Sequence, residues 1–410
     1  MKGHIPVKYC ALVFCFIFIL NNSPKAAVND NLELGVNINL FLTQASTPKY
    51  FFKEYRESAL ELDFDIKYDF RDNLSFVLLP FVQTQYDINS KKRTDTFVRI
   101  WQGYLRYEIS DFEIELGRFA FEDEAISSFI YYGGKQNKDL ALPTALDGIR
   151  HSYNGKYIDY TFLTGRESEI IEEKKAVLIG GTVKVKPLSW LNIKGLYFYS
   201  AKEYESENKA IDNEAQIYGG GIDIKMNEES GIKIYYGRKE EREEISRNNV
   251  STFQENGNNI ATGEIYFKSE NKVWDIKNKL GINIISGAKE KKTIPSKREE
   301  GIIYGGMNYN NMFPGSPKNI YAVMELNYNK YKFIYNEIGV YIYASEKEKV
   351  TNQTYYAQEM NISMGVKFEE WGIRVTGGIF EGEAIFLGVA NKEQQNIKKL
   401  EAKFYYTFKL

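Results

Sequence analysis

The side chains best suited to catalysis are scarce in this sequence. Its 410 residues include two cysteines, Cys10 and Cys15, and two histidines, His4 and His151. Only His151 lies beyond the first twenty residues, so any Ser-His-Asp apparatus would need it as the base. No serine or acid stands at a spacing that marks it as a partner of His151. The sequence therefore predicts no catalytic site, no cysteine or multi-histidine metal site, and no cofactor.

Charged residues offer a different kind of chemistry. Acidic side chains recur at every second position in Glu61-Leu-Asp-Phe-Asp65 and in Glu113-Ile-Glu115. An acidic triplet, Glu122-Asp-Glu124, follows the second of these segments. Charges spaced in this way line one face of an extended chain, where they act together through their electric field. The run Gly219-Gly-Gly221 lacks a following helix and a Lys-Ser/Thr pair, so it predicts no phosphate-binding loop.

The first 27 residues are typical of an export signal. Lysines precede an apolar run, Cys10–Leu20, that is too short to span a bilayer as a stable helix. Small residues near Ala27 offer a cleavage site. We therefore predict a signal peptide at residues 1–27 and a mature chain at residues 28–410. Because the signal holds three lysines and no acid, the mature chain keeps 50 basic and 55 acidic residues, which predicts no nucleic-acid partner.

Beyond the signal, apolar and polar residues alternate over long segments, of which Leu60–Phe70 and Leu400–Leu410 are two. Alternation with a period of two indicates a strand with one apolar and one polar face. The composition, with 31 Tyr, 26 Phe, 32 Gly and only 9 Pro, suits many such strands. Strands of soluble proteins have about five or six residues, whereas a tilted strand needs about ten to cross a bilayer. A soluble β-sandwich would alternate too, but with shorter strands.

The connections between these segments fall into two lengths. Very short turns, such as Arg71–Asn73 and Ser110–Asp111, alternate with long polar loops, such as 120–145, 201–214 and 239–257. Short turns on one side and long loops on the other are typical of outer-membrane barrels. The sequence thus predicts an all-β fold, a transmembrane antiparallel barrel in the lipid of a bacterial outer membrane.

The predicted number of strands is eighteen, with sixteen as the alternative. A further candidate strand at 301–311 would give nineteen and leave the C-terminus on the outer side. We therefore assign 287–318 to one long loop, which places both chain ends in the periplasm. The C-terminal Phe408-Lys-Leu410 resembles the signal by which the barrel-insertion machinery recognises its substrates.

Two blocks of sequence carry a family resemblance. Glu113–Phe121 is a strand that ends in Gly-Arg before a long loop, and Leu146–Tyr153 follows that loop. Both resemble the alginate-export family of eighteen-stranded porins, over about residues 100–166. The resemblance implies an eighteen-stranded porin and, as an alternative function, export of an acidic polysaccharide. The export members have a strongly arginine-lined pore, whereas the charges of this sequence are mixed.

The pore-lining residues follow from the alternation, because the apolar face of each strand contacts lipid. The loop at 120–145 is the predicted constriction, since its glycines permit tight folding against the wall. We expect Glu122, Asp123 and Glu124 of this loop to face arginines of the wall. Strict alternation points Arg118 at lipid, but we expect a strand end or bulge to turn it toward the pore mouth. The predicted pore-constriction residues are Arg106, Arg118, Arg150, Glu122, Asp123, Glu124, Glu113 and Glu115.

The function predicted from these features is passive diffusion of small hydrophilic solutes or ions through a charged lumen that a loop narrows. A barrel enzyme or an adhesin is less favoured, because neither a catalytic constellation nor a large extracellular domain is visible. Alternation places thirteen charged residues on the lumen face: Glu61, Asp63, Asp65, Arg106, Glu113, Glu115, Arg150, Lys184, Lys194, Lys277, Lys279, Arg374 and Lys403.

Overall fold

The alternating segments of the sequence form strands in the structure, which is a computed structural model. Their β-branched and aromatic residues fit a pleated, extended backbone. Among the residues that the structure describes, eighteen strands build the wall, and two short ones, β6 and β7, form a separate ribbon. The strands are β1 Leu32–Ala45, β2 Tyr55–Arg71, β3 Leu74–Asp87, β4 Lys92–Ile109, β5 Phe112–Phe119, β6 Phe121–Glu122, β7 Tyr131–Tyr132, β8 Leu146–Asn154, β9 Ile158–Glu167, β10 Lys175–Leu188, β11 Leu191–Ser206, β12 Lys209–Asn227, β13 Ser230–Arg247, β14 Val250–Glu270, β15 Trp274–Ser286, β16 Lys318–Tyr328, β17 Ile334–Ala344, β18 Tyr356–Lys367, β19 Trp371–Glu383 and β20 Gln394–Lys409.

The structure describes residues 31–45, 55–87, 92–122, 131–132, 145–167, 175–206, 209–247, 250–286, 318–328, 331, 333–344, 356–383 and 394–409. The predicted signal peptide at residues 1–27 and the terminal Leu410 lie outside these ranges. Within them, no helix is long and apolar enough to cross a membrane.

The wall is one closed antiparallel sheet. Each strand pairs with the strands before and after it in the chain, except that β5 pairs with β8, because β6 and β7 form the separate ribbon. The first and last strands close the ring through eleven residue pairs, and Thr407 Oγ1 donates to Asn37 Oδ1 at 2.8 Å across this seam. β15 and β16 pair directly with each other. The predicted fold class and the predicted count of eighteen strands are therefore confirmed.

The two faces of the wall differ as the alternation predicts. On the outer face, apolar side chains such as Ile265, Phe267 and Ile282 are exposed, whereas polar side chains such as Glu61 and Asp63 are buried on the inner face. Residues paired directly across two strands share a face. On this criterion all thirteen predicted lumen charges lie on the inner face.

Aromatic rings gather near the short turns. Phe112, Tyr153 and Tyr160 form one group, with centroid distances of 4.6 Å from Phe112 to Tyr153 and 5.6 Å from Tyr153 to Tyr160. His151 stacks on Phe112 at 5.8 Å, on the outer face where the sequence places it. Amphipathic rings at one level mark a membrane boundary. A second group lies at the turns between β14 and β19: Trp274, Tyr328, Tyr331, Phe333, Phe368 and Trp371.

The wall is much higher on one side of the barrel. β5, β8 and β9 have 8, 9 and 10 residues, whereas β12, β13 and β14 have 19, 18 and 21. The prediction of polar loops at 201–214 and 239–257 is therefore wrong, because most of these residues continue the strands. The high strands carry polar residues on both faces, outward Glu240 and inward Lys239 for example. Such a sheet suits water on both sides, beyond the apolar band of the membrane.

Glycines on the inner face make room for tyrosine rings. A Cβ on Gly281 would overlap the ring of Tyr321, its partner on the next strand, and a Cβ on Gly221 would overlap the ring of Tyr235. The ring of each tyrosine takes the place of the missing side chain. This packing explains why the chain is rich in both residues and keeps the rings close to the wall.

Candidate functional site

Four charged side chains meet on the inner face where β4, β5 and β8 run side by side. Glu115 is completely buried and accepts hydrogen bonds from Arg106, at 2.9 Å from Nη2 and 3.2 Å from Nε. Arg150 pairs with the other oxygen of the same carboxylate. Glu113 lies 3.6 Å from Arg106 and 3.9 Å from Arg150. Two arginines therefore share one buried carboxylate, which holds Arg106 through charge-assisted hydrogen bonds and Arg150 through an ion pair.

This charged group also holds the first residue after β5. The Ala120 N–H donates to Gln102 Oε1 at 3.1 Å, and the Ala120 carbonyl accepts from Arg150 Nη1 at 2.9 Å. Gln102 belongs to β4 and Arg150 to β8, so side chains on both sides of β5 hold this backbone. Because both side chains face the lumen, they direct the chain into the barrel where β5 ends.

The chain beyond Ala120 packs against the inner face. Phe121 is 6% exposed, and its ring centroid lies 5.4 Å from that of Phe198 on β11, four strands further round the ring than β5. Phe121–Glu122 also pairs with Tyr131–Tyr132 as a two-stranded ribbon. Covering apolar wall with a loop is favourable in a lumen that holds water. The same apolar patch of the inner face contains Leu146, Leu163, Leu178, Leu196 and Ile217.

The structure brings together four of the eight predicted constriction residues. These four are the wall residues Arg106, Arg150, Glu113 and Glu115. The backbone of Glu122 belongs to the ribbon, and Asp123 and Glu124 lie outside the described residues. Arg106 and Arg150 have acidic partners on the wall. Contact between these arginines and the acidic triplet remains a prediction, because two of the three acids lie outside the described residues.

Arg118 does not belong to this group, and the prediction that it faces the pore mouth is wrong. The pairing of β5 with β4 continues without a bulge in β5, so Arg118 lies opposite Gly103 on the outer face. Its Nε donates to Asp147 Oδ1 at 2.7 Å and its Nη2 to Oδ2 at 3.0 Å. The irregularity of this region lies on β4, at Trp101, and leaves the facing of Arg118 unchanged. Strict alternation alone, without an added strand end or bulge, predicts the outward facing of Arg118 correctly.

Charges on the inner face are unevenly distributed around the ring. β2 carries three acids, Glu61, Asp63 and Asp65, at successive inward positions. β13 lies nine strands from β2 in either direction, on the opposite side of the barrel. Groups of charges on the wall shape the electric field inside the lumen. Inward charges near β13 are Lys184, Lys194, Lys233, Lys239, Lys277 and Lys279 with the acids Asp223, Glu241 and Glu264, whereas inward Arg374 and Lys403 lie near the acids of β2.

Sequence reasoning missed the residues that hold the start of the loop, namely Gln102, Phe119, Phe121 and Phe198. A signal was present, because inward positions such as Leu163 and Ile217 are apolar where a lumen with water would favour polar residues. A strand that is apolar on both faces indicates a wall that another segment covers. Among the residues that the structure describes, no group of three or more His, Cys, Asp or Glu side chains is arranged to hold a metal ion.

A closed barrel of eighteen antiparallel strands, with an apolar outer face and a polar inner face, has the architecture of outer-membrane porins. Neither a protein-family profile nor a curated protein sequence matches the chain. Several solved structures do match, and they are outer-membrane porins with eighteen-stranded barrels. At their low sequence identity the likeness is one of fold. It confirms the eighteen-stranded barrel fold that these porins have and does not extend to the alginate-export family.

Three of these structures illustrate the likeness. Acinetobacter baumannii OccAB3 matches with a TM-score of 0.62 and 11% identity, over 93% of this chain and 100% of that chain. Pseudomonas aeruginosa OpdQ matches with a TM-score of 0.60 and 9% identity, over 93% and 100%. Pseudomonas aeruginosa OccK5 (OpdH) matches with a TM-score of 0.59 and 11% identity, over 93% and 99%.

Proposed function

We propose that this protein is a porin of the bacterial outer membrane, through which small hydrophilic solutes or ions diffuse passively. The observation that carries the proposal is the start of loop 120–145, where Gln102 and Arg150 hold the backbone of Ala120 toward the lumen. Barrels of sixteen to eighteen strands enclose an aqueous channel. A loop that enters such a channel sets its narrowest width and therefore which solutes pass.

The outer face supports the location in a membrane. Exposed apolar side chains such as Ile234, Ile320 and Ile362 would be unfavourable in water and are favourable in lipid. A closed barrel also satisfies every backbone group of its wall within the sheet, which a membrane-spanning sheet requires. Residues 1–27, as a signal peptide, provide the export step that an outer-membrane location needs.

Charge supports selectivity for small solutes over export of an acidic polysaccharide. A polyanion would require a lumen that is basic along its length, whereas Glu61, Asp63 and Asp65 line one side of this one. Opposed charges across a narrow opening instead orient dipolar solutes and favour ions of suitable sign. We therefore propose passive diffusion as the single function.

Deletion of residues 126–140 tests the constriction. If this loop narrows the pore, its removal raises the single-channel conductance in planar bilayers and weakens the charge selectivity measured by reversal potential in a salt gradient. Deletion of the equally long segment 292–306 provides the control and should leave conductance unchanged. A folded 126–140 variant with wild-type conductance would overturn the loop's role, and a wild-type barrel without conductance would overturn the porin function itself.

A further inference from the structure

An ion pair lies on the outer face of the wall, where lipid would contact it. Arg118 and Asp147 share two hydrogen bonds, and Arg118 Nη1 donates a third to the Ile100 carbonyl at 3.2 Å. Both side chains remain partly exposed, at 30% and 46%. Charged groups that face lipid are costly and rare, so their presence indicates a function.

The depth of this ion pair can be estimated from β5. Arg118 lies six residues beyond Phe112, which belongs to the aromatic group at the turns. Six residues span about 20 Å along a strand. A strand tilted by about 40° rises about 15 Å over that length, whereas the apolar band of a barrel is about 25 Å tall. The ion pair therefore lies in the half of the apolar band opposite the short turns, where long arginine side chains can extend toward the headgroup level.

A groove lies next to the ion pair on the same face. It has a volume of about 570 Å³. Gly103, opposite Arg118 on β4, has no side chain to fill it. The apolar side chains that line the groove are Phe76, Leu78, Ile100, Leu116 and Ile149.

A second arginine gives the site a net positive charge. Arg166 on β9 lies directly opposite Asp147 on the outer face and is exposed. It makes no ion pair with any of the residues that the structure describes. Two arginines and one aspartate leave one positive charge. Three of the five N–H groups of Arg118 are used by the bonds above, so two remain for another acceptor.

We propose that this outer surface binds a phosphorylated glycolipid of the outer leaflet. Its phosphate contacts Arg118 and Arg166, and one of its acyl chains lies in the groove beside Gly103. The charge of the two arginines complements a phosphate, and guanidinium groups bind phosphate oxygens in a bidentate manner. The apolar groove beneath favours a chain of CH₂ groups. The proposal rests on the membrane location proposed above, but not on conduction through the lumen.

Native mass spectrometry of the full-length barrel, extracted in a mild detergent, tests the site. The probes are a diphosphorylated glucosamine glycolipid, its dephosphorylated form, and phosphatidylglycerol. We expect the wild-type barrel to retain the diphosphorylated glycolipid in preference to the other two. Loss of a charge-assisted bond should weaken retention about 10-fold in Arg166→Gln, which leaves the ion pair intact. A triple variant, Arg118→Gln/Asp147→Asn/Arg166→Gln, should weaken it further. Arg238→Gln, an outward arginine of the high wall, is the matched control and should retain the lipid.

Three results would overturn the proposal. Equal retention by wild type and both site variants would show that the arginines do not bind the phosphate. Preference for phosphatidylglycerol would assign the site to another lipid. If the wild type forms an oligomer without bound glycolipid and the triple variant is monomeric, the surface would be assigned to a second copy of the chain. Conductance recorded on the same samples separates these results from a failure of the porin function.

Discussion

At the scale of single residues, Glu115 is the side chain on which the start of the loop depends most. It is completely buried and contacts both Arg106 and Arg150, and Arg150 in turn holds the Ala120 carbonyl. Removal of one member of a buried charged group leaves the others without compensation, which costs more than the group contributes as a whole. Glu115 therefore links the stability of the wall to the position of the loop.

We expect Glu115→Gln to lower the free energy of unfolding by about 3 kcal/mol, because two partly buried arginines lose the completely buried negative charge that they share. Urea titration of the barrel folded into lipid vesicles measures this change. Glu113→Gln is the matched control. Glu113 is 26% exposed and lies 3.6 Å or more from either arginine, so its loss should cost about 1 kcal/mol or less. Equal losses in the two variants would contradict the assigned role of Glu115.

At the scale of strands, the outer face of β12 runs from the membrane into water. Ile222 is outward and exposed, whereas the outward Gln216 lies among charged residues, opposite Glu240. We expect Ile222→Arg to cost about 2–4 kcal/mol of stability in vesicles, because the charge enters the apolar band. Gln216→Arg on the same face of the same strand should cost less than about 0.5 kcal/mol. Comparable costs would place the membrane boundary elsewhere.

Much of this architecture is predictable from the sequence at the scale of strands, because the alternation that marks each strand also assigns its faces. Phe64 and Ile282 face outward and Gln83 inward, as alternation indicates. The parts of β13 and β14 within 239–257 were predicted as a loop, because strands with water on both faces are polar throughout, as loops are. The contacts that hold the start of the loop could not be predicted from the sequence. The key contact joins the Ala120 backbone to side chains from two other strands, one of them 30 residues further along the chain.

At the scale of the whole molecule, the uneven charge of the lumen should be measurable. Lys184→Gln/Lys194→Gln removes two neighbouring positive charges from one side of the inner face. We expect the reversal potential in a salt gradient to shift toward cation preference, with a change of about twofold in the permeability ratio. Asp65→Asn on the opposite side should shift it toward anions. Shifts of the same sign in both variants would contradict a role of these lumen charges in ion selectivity.

The seam between β1 and β20 has a consequence for the order in which the molecule can form. Its partners, such as Asn37 and Thr407, are separated by 370 positions along the chain, so the pair that closes the ring is also the most distant in sequence. Contacts of such high order form slowly. Until the C-terminal strand has been made, β1 presents an unpaired edge to which any other extended chain can add. We therefore expect the edge of β1 to need a cover during synthesis and transit, until the last strand pairs with it.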